Sequence, residues 1–208
     1  MTAIIDYGVG NLFSLVSSFE KIGEKAVVTA DSSVLESADR IILPGVGAFC
    51  DAAEKLKASG LVDTVIKEIK KGKPLMGICL GMQLLFEKSY EYGEYEGLGF
   101  IKGEIIPIAD KVKDLKIPHM GWNALSFKNG KSPLFKYINE GDYVYFVHSF
   151  YGVNCESSTI ATAEYGTEIT AAVADKNIFG CQFHPEKSGE VGLNILRAFC
   201  EMKEGAVC

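Results

Sequence analysis

A cysteine between two glycines, in the stretch GICLGMQ at residues 77–83, has the pattern of a nucleophile on a sharp turn. The residues before Cys79 predict a strand, and those after it predict a helix. Glycines on both sides remove side chains that would clash at such a turn. The first N–H groups of the helix favour a thiolate and bind an oxyanion. These features predict acyl transfer with Cys79 as the nucleophile.

A nucleophilic cysteine needs a base, and the histidines of the chain are His119, His148 and His184. His184 lies in CQFHPEKS, directly after an apolar strand, where Pro185 excludes a helix. In an extended segment, residues two apart lie on the same side, so Glu186 can turn towards the imidazole and set its orientation and tautomer. We therefore predict a Cys–His–Glu triad. His148 is a weaker candidate base, because no carboxylate follows it.

The first half of the chain alternates apolar strands with helical segments. Strands are predicted at residues 3–6, 25–28, 40–45 and 74–79, and helices at 11–22, 48–71 (with a break near 59–60) and 82–88. This alternation favours a parallel sheet with helices on both faces, whose functional site lies at the carboxyl ends of the strands. The glycine-rich segments DYGVGN, LPGVGAF and GICLGMQ all fall at such ends.

The second half of the chain contains short strands at close spacing, which indicates antiparallel pairing. They are predicted within KGEIIPI, YVYFVHSFYGV, TIATAEY, TAAVAD and IFGCQF, followed by a last helix at about 190–203. The segment PHMGWN is interpreted as a loop. We therefore predict a single α/β domain over residues 1–208, with a largely parallel central sheet, helices on both faces and an antiparallel extension from the second half.

Charge and hydropathy argue against nucleic-acid and membrane functions. The net charge is −6 and the lysines are scattered, whereas surfaces that bind nucleic acid or anionic membranes carry basic clusters. The longest apolar run, residues 75–86, is shorter than a membrane span of roughly 20 residues. The start of the chain does not have the pattern of a signal peptide, so we expect a cytoplasmic protein.

The cysteines lie far apart without a C-x-x-C pair, and the histidines form no cluster with them that would predict a zinc site. We expect neither a metal nor a cofactor. In a cytoplasmic chain, the cysteines other than Cys79 are interpreted as reduced packing residues. These are Cys50, Cys155, Cys181, Cys200 and Cys208.

The combination of G-x-C-x-G at 77–81 with H-P-E at 184–186 resembles the class I glutamine amidotransferases, which use a catalytic triad. Four further segments, DYGVGN, LPGVGAF, PHMGWN and YFVHSFY, resemble one branch of that family. Its members are the glutaminase subunits of imidazole glycerol phosphate synthase in histidine biosynthesis. The resemblance extends from Ile5 to the last helix, with no departure at a catalytic position.

The resemblance implies an enzyme that hydrolyses glutamine to glutamate and ammonia. Cys79 would attack the side-chain amide of glutamine and form a glutamyl thioester. His184, oriented by Glu186, would pass a proton to the departing ammonia and then activate the water that releases glutamate.

The resemblance also implies which residues hold the oxyanion and the substrate. In the family the oxyanion is bound by the backbone N–H after the nucleophile, here Leu80, and by the P-G-V-G loop, here around Val46 and Gly47. Gln83 and the backbone of Ser149–Phe150 match positions that hold the amino-acid end of the substrate.

Members of the family pass ammonia to a separate (β/α)₈-barrel cyclase subunit, so the resemblance implies a heterodimer. The products are imidazole glycerol phosphate and aminoimidazole carboxamide ribonucleotide (AICAR). Four residues match positions at the contact between the subunits: Asn11, Trp122, Tyr145 and Lys187. Asn11 is also explained as a helix cap, Lys187 as a surface charge and Trp122 as a packing residue.

Other functions fit parts of the pattern. The same glutaminase chemistry would serve a paralogue in a sugar-modifying pathway, the subunit of pyridoxal phosphate synthase, or a γ-glutamyl peptidase without a partner. DYGVGN and PHMGWN argue against the pyridoxal phosphate synthase subunit. A dinucleotide-binding protein would explain GVGNLF followed by Asp31, but Phe13 stands where the third glycine is needed and the triad would stay unexplained.

Overall fold

An eight-stranded sheet organises the chain, and the computed structural model describes residues 1–203. The helices are α1 (Leu12–Lys21), α2 (Ser32–Ser37), α3 (Phe49–Ala58), α4 (Val62–Lys70), α5 (Leu80–Gln83) and α6 (Gly189–Cys200). The strands are β1 (Thr2–Ile5), β2 (Ala26–Thr29), β3 (Arg40–Leu43), β4 (Leu75–Ile78), β5 (Phe86–Ser89), β6 (Tyr95–Glu96), β7 (Ile101–Pro107), β8 (His119–Ala124), β9 (Ser126–Phe127), β10 (Tyr143–His148), β11 (Phe150–Val153), β12 (Thr159–Glu164), β13 (Glu168–Asp175) and β14 (Ile178–Cys181). Short 3₁₀ turns lie at Ile108–Asp110, Pro133–Phe135 and Pro185–Lys187.

The strand order of the large sheet is β2-β1-β3-β4-β14-β13-β12-β9. The first five strands in this order pair in parallel, and the last three continue the sheet by antiparallel pairing. The predicted fold class, a largely parallel sheet with an antiparallel extension, is confirmed. Because β1, β3 and β4 are neighbours, the three glycine-rich segments that follow them lie at the same edge of the sheet.

Helices cover both faces of this sheet, as predicted. Neighbouring residues of a strand face opposite sides, so Ile4 packs with one cluster of buried side chains and Ile5 with the other. The first cluster takes Phe19 from α1 and Phe199 from α6. The second cluster takes its apolar side chains from α2, α3 and α4, including Leu35, Leu56 and Val65.

Two smaller sheets stand beside the large one. One has the order β11-β7-β5-β6, and the other is the antiparallel pair β10-β8. The predicted strand at YVYFVHSFYGV is therefore divided between two sheets, with β10 in one and β11 in the other. The division at Ser149 brings the end of β10 and the start of β11 to the pocket described below.

The prediction of a helix over residues 82–88 was wrong. Helix α5 is a single turn, and β5 follows it. Neighbouring segments occupy the backbone carbonyls that a helix would have used: Leu84 O accepts from Leu98 N–H at 2.8 Å and Phe86 O from Gly99 N–H at 3.0 Å. Tertiary pairing has overridden the local apolar pattern.

Three further elements differ from the sequence predictions. PHMGWN, interpreted as a loop, contributes most of β8, which pairs with β10 along its whole length. Helix α2 was not predicted, although Asp31 caps it by accepting from Ser33 N–H at 2.8 Å. Strand β14 was expected in antiparallel pairing, but it also pairs in parallel with β4. None of the helices within residues 1–203 is long and apolar enough to cross a membrane.

Candidate active site

Cys79 occupies the turn between β4 and α5 in a strained conformation, with φ 54° and ψ −111°. Positive φ is uncommon for a residue with a side chain. Such a strained conformation persists only where the surrounding structure holds it in place. Here the Cys79 N–H donates to Cys181 O at 2.7 Å, and Cys79 O accepts from Gln83 N–H at 3.2 Å. The main chain on each side of Cys79 is therefore fixed, and its side chain projects from a sharp turn.

The glycines around Cys79 are required by close approach of the backbone. A Cβ on Gly81 would lie 1.9 Å from Leu43 O at the end of β3. A Cβ on Gly77 would lie 2.6 Å from Gly81 O. Neither position accepts a side chain without moving main chain, so the G-x-C-x-G spacing follows from packing β3, β4 and α5 together.

His184 and Glu186 form a buried pair behind the pocket. Nδ1 of His184 lies 2.8 Å from Oε1 of Glu186, and the exposed fractions of the two side chains are 3% and 2%. The segment after His184 was predicted to be extended, but Pro185 begins a 3₁₀ turn at Pro185–Lys187. Only His184 itself has an extended conformation. The turn still aims the carboxylate at the ring, and Tyr145 O accepts the His184 N–H at 2.9 Å.

The surroundings of His184 favour its charged form. Burial by itself lowers the pKa of His184, but interactions with Cys79 and Glu186 outweigh burial and raise that pKa to about 9. Nothing within the described residues hydrogen-bonds to Oε2 of Glu186, so the ring is the main partner of this buried carboxylate. A charged imidazole beside a cysteine favours the thiolate, which is the nucleophilic form.

A pocket of about 360 Å³ opens over Cys79. It is lined by Cys79, His184 and every residue predicted to hold the oxyanion or the substrate. Those residues are Val46, Gly47, Leu80, Gln83, Ser149 and Phe150. Glu186 does not line the pocket, because it lies behind His184. Among residues 1–203, no group of three or more His, Cys, Asp or Glu side chains is arranged to hold a metal ion.

Two backbone elements in this pocket are suited to an oxyanion. Leu80 is the first residue of α5, where N–H groups are free of helical partners and carry the positive end of the helix dipole. The loop between β3 and α3 brings Val46 and Gly47 to the same pocket, and Gly47 has φ 95°, a conformation that suits glycine.

Three of the four residues predicted at a subunit contact are neighbours. Trp122 and Tyr145 are paired across β8 and β10 with ring centroids 6.1 Å apart, and Lys187 Nζ lies 6.0 Å from the centre of the Tyr145 ring. Lys187 also lines the pocket, and Trp122 is 55% exposed. Asn11 caps α1 by accepting from Ser14 N–H, so its structural explanation is confirmed, and α1 packs against the 3₁₀ turn that contains Lys187.

Sequence reasoning missed several residues of the pocket. Glu91, Tyr92, Pro118 and Val147 also line it. Glu91 is buried and accepts Phe49 N–H at 2.7 Å, and burial raises the pKa of its carboxyl group. No local signal marks Glu91, because the hairpin that carries it is formed by pairing of β5 and β6.

His148, the weaker candidate base, also lines the pocket, but its ring has other partners. Its Nε2 lies 2.9 Å from Nδ1 of His119, and its Nδ1 lies 2.8 Å from Phe150 O. Burial, with repulsion from the other two histidines, lowers the pKa of His148 to about 3 despite the bond to the carbonyl. The ring is therefore neutral and fully engaged.

Of the cysteines interpreted as packing residues, Cys155, Cys181 and Cys200 are buried and Cys50 is partly buried, all as free thiols. Cys208 lies outside the described residues.

The family model described as glutamine amidotransferase class-I matches residues 3–202 of the chain. A solved structure described as a glutamine amidotransferase has the same fold, with a TM-score of 0.74 and 17% identity, over 96% of this chain and 97% of that one. The chain therefore belongs to the class-I glutamine amidotransferases.

Curated relatives identify a branch of this family to which the chain is similar in sequence. The imidazole glycerol phosphate synthase subunit HisH of Wolinella succinogenes is 50% identical over 206 residues, which cover 97% of this chain and 100% of the relative. The subunit of the same name from Caldanaerobacter subterraneus is 50% identical over 203 residues, covering 97% and 98%. Within the class, the chain belongs to the HisH family.

Proposed function

We propose that the chain is the glutaminase subunit of an imidazole glycerol phosphate synthase, with Cys79, His184 and Glu186 as its catalytic triad. The observation that carries this proposal is the turn at Cys79: a cysteine at positive φ, beside a His184–Glu186 pair whose ring has a pKa raised to about 9. The relatives named as synthase subunits supply the pathway.

The proposed reaction begins with a thiolate–imidazolium pair of Cys79 and His184. The sulfur attacks the side-chain carbonyl carbon of glutamine, and the oxyanion is bound by the N–H group of Leu80 and by an N–H group of the loop around Val46 and Gly47. His184 then gives its proton to the amino group, the C–N bond breaks, and ammonia leaves a thioester. The neutral ring takes a proton from water, which attacks the thioester and releases glutamate. Glu186 keeps the Nδ1–H of the ring in place during both steps.

The far end of the pocket suits the amino-acid end of glutamine. Glu91 offers a carboxylate to the ammonium group, and its other interaction is with the backbone at the start of α3. The backbone of Ser149–Phe150 offers N–H groups to the α-carboxylate. Gln83 supports this segment, because its Nε2 donates to Phe150 O at 3.2 Å.

We also propose that ammonia passes to a (β/α)₈-barrel cyclase subunit of a cytoplasmic heterodimer, which makes imidazole glycerol phosphate and AICAR. Large apolar side chains are exposed around the pocket, which supports a partner that docks on this side of the molecule. Met120 and Trp122 on β8 are 61% and 55% exposed, and Phe13 at the start of α1 is 85% exposed. Exposed aromatic and methionine side chains are enriched at protein interfaces.

The experiment measures glutamate release from glutamine by the purified chain, alone and with a cyclase subunit and its ribonucleotide ligand. We expect little release from the chain alone and strong stimulation by the partner. Cys79→Ala should lower kcat by at least 10³-fold while the fold, measured by circular dichroism, is unchanged. Full turnover by Cys79→Ala would overturn the triad. Full activity without a partner would instead indicate a stand-alone glutaminase.

A further inference from the structure

A chain of hydrogen bonds runs through the protein from β8 to the substrate pocket. Asn123 Nδ2 lies 3.2 Å from His119 Nε2, His119 Nδ1 lies 2.9 Å from His148 Nε2, and His148 Nδ1 lies 2.8 Å from Phe150 O. Both imidazole rings are buried. The histidine chain, as these three side chains are called below, has no part in the proposed bond-making steps.

The groups at the two ends of the histidine chain define the donor-to-acceptor direction of its hydrogen bonds. Phe150 O can only accept, so His148 carries its proton on Nδ1 and accepts at Nε2. His119 must then donate from Nδ1 and accept at Nε2 from the Asn123 amide. That amide is oriented independently, because its Oδ1 accepts Ala124 N–H at 2.8 Å and its Nδ2 also donates to Glu164 O at 2.8 Å. Each donor therefore meets an acceptor only when both rings are neutral.

The inner end of the histidine chain fixes the backbone at Phe150, a residue of the substrate pocket. Ser149 O accepts Ile108 N–H at 2.9 Å, so the Phe150 carbonyl next along β11 points away from β7. There it accepts from His148 and from Gln83, at 2.8 and 3.2 Å. The two donors fix the carbonyl of Phe150, and with it the backbone that directly follows the Ser149–Phe150 peptide.

The outer end of the histidine chain lies on the strand that faces the proposed partner. Side chains of β8 alternate, so Met120 and Trp122 are exposed on one face while His119 is buried on the other. The His119 ring is also stacked between Phe146 and Tyr165, with centroids 4.7 and 4.1 Å away. Because protein interiors are close-packed, a shift of β8 must also move the His119 ring.

We propose that Asn123, His119 and His148 are positioning residues that couple the position of β8 to the backbone at Phe150, and so to glutamine binding. The inference rests on the proposed glutaminase function and on a partner that docks against β8. Docking that moves β8 changes the backbone at Phe150, whose N–H group is proposed to hold the amino-acid end of the substrate, while the triad keeps its geometry.

The test compares His119→Phe with His119→Asn in the complex with the cyclase subunit. Phenylalanine keeps the stacking on Phe146 and removes both hydrogen bonds, whereas asparagine keeps a donor close to the position of Nδ1. We expect His119→Phe to raise KM for glutamine about tenfold, the effect of one well-placed hydrogen bond, with kcat within about threefold. His119→Asn should restore most of the affinity. Alkylation of Cys79 by iodoacetamide should be unchanged in both variants.

Asn123→Ala tests the same chain at its outer end, where a substitution disturbs packing less. Its matched control is Asn177→Ala, because Asn177 Nδ2 likewise has two acceptors, here the carbonyls Ile69 O and Lys73 O, at the opposite end of β4. We expect Asn123→Ala to raise KM severalfold and Asn177→Ala to lower thermal stability without changing KM. Equal KM values for the two variants, or for His119→Phe and the wild type, would overturn the inference while the proposed function stood.

A double-mutant cycle tests the coupling to β8. At saturating partner, Trp122→Ala should raise KM for glutamine in the wild-type background and have little further effect in the His119→Phe background. An equal increase of KM by Trp122→Ala in both backgrounds would show that the histidine chain does not couple β8 to glutamine binding. A wild-type complex that releases no glutamate would overturn the proposed function and, with it, this inference.

Discussion

Replacing Glu186 by glutamine removes the negative charge behind His184 with little change of shape. Burial opposes a charged ring, yet Cys79 and Glu186 together hold the pKa of His184 at about 9, against an ordinary 6.5. This difference corresponds to roughly 3 kcal/mol in favour of the imidazolium. If the pKa returns to near 6.5 without Glu186, only about a tenth of the rings are charged at pH 7.5.

Two consequences follow for E186Q. Alkylation of Cys79 by iodoacetamide at pH 7.5 should slow about tenfold, because the charged ring no longer stabilises the thiolate. Glutamine hydrolysis in the complex should lose roughly 10²–10⁴-fold in kcat, because the amide also permits the tautomer in which His184 cannot accept a proton at Nε2. The alkylation rate measured from pH 5 to pH 10 separates the loss of charge from the loss of orientation.

The control for E186Q is Glu190→Gln, which removes the same charge from an exposed position at the start of α6. It should leave alkylation and turnover unchanged. If E186Q keeps the alkylation profile of the wild type and its kcat stays within threefold, the assignment of Glu186 as the carboxylate of the triad is refuted.

Two further predictions concern stability. Burial lowers the pKa of His119 to about 4 and that of His148 to about 3, so the unfolded chain binds protons that the native protein does not. The stability that these two histidines contribute is therefore full above pH 6.5 and falls as the pH drops towards 3, by on the order of 8 kcal/mol. Urea unfolding at several pH values between 6.5 and 3 should give a flatter dependence for His119→Phe. Gly81→Ala should prevent stable folding or lower the melting temperature strongly, because its Cβ would meet Leu43 O at 1.9 Å; an unchanged melting temperature would contradict the close approach.

Much of the site was predictable because its signals are local. Glycines beside Cys79 indicate a turn that tolerates no side chains, and Pro185 after His184 indicates that the chain leaves the sheet there. The spacing of His184 and Glu186 places the carboxylate beside the ring in an extended segment, and the observed 3₁₀ turn leads to the same contact. Each of these inferences depends on residues within a few positions of each other.

The elements that the sequence did not predict depend on contacts between distant segments. Residues 84–89 have an apolar pattern compatible with a helix, but β7 and the segment before it occupy their backbone groups, and β5 forms instead. Glu91 reaches the pocket only because β5 and β6 form a hairpin. PHMGWN becomes a strand because β10 lies beside it. Pairing partners far away in the sequence decided these elements.

The sequence alone therefore predicted a nucleophile with its base and carboxylate, and it determined the strand–turn–helix around Cys79 and the class of fold, because backbone preference and short spacings encode them. Only the tertiary structure decided the charge on His184, the direction of the hydrogen bonds through His119 and His148, and the place of Glu91 in the pocket. These properties depend on burial and on contacts between distant segments, since a pKa and a tautomer belong to an environment and not to a residue type.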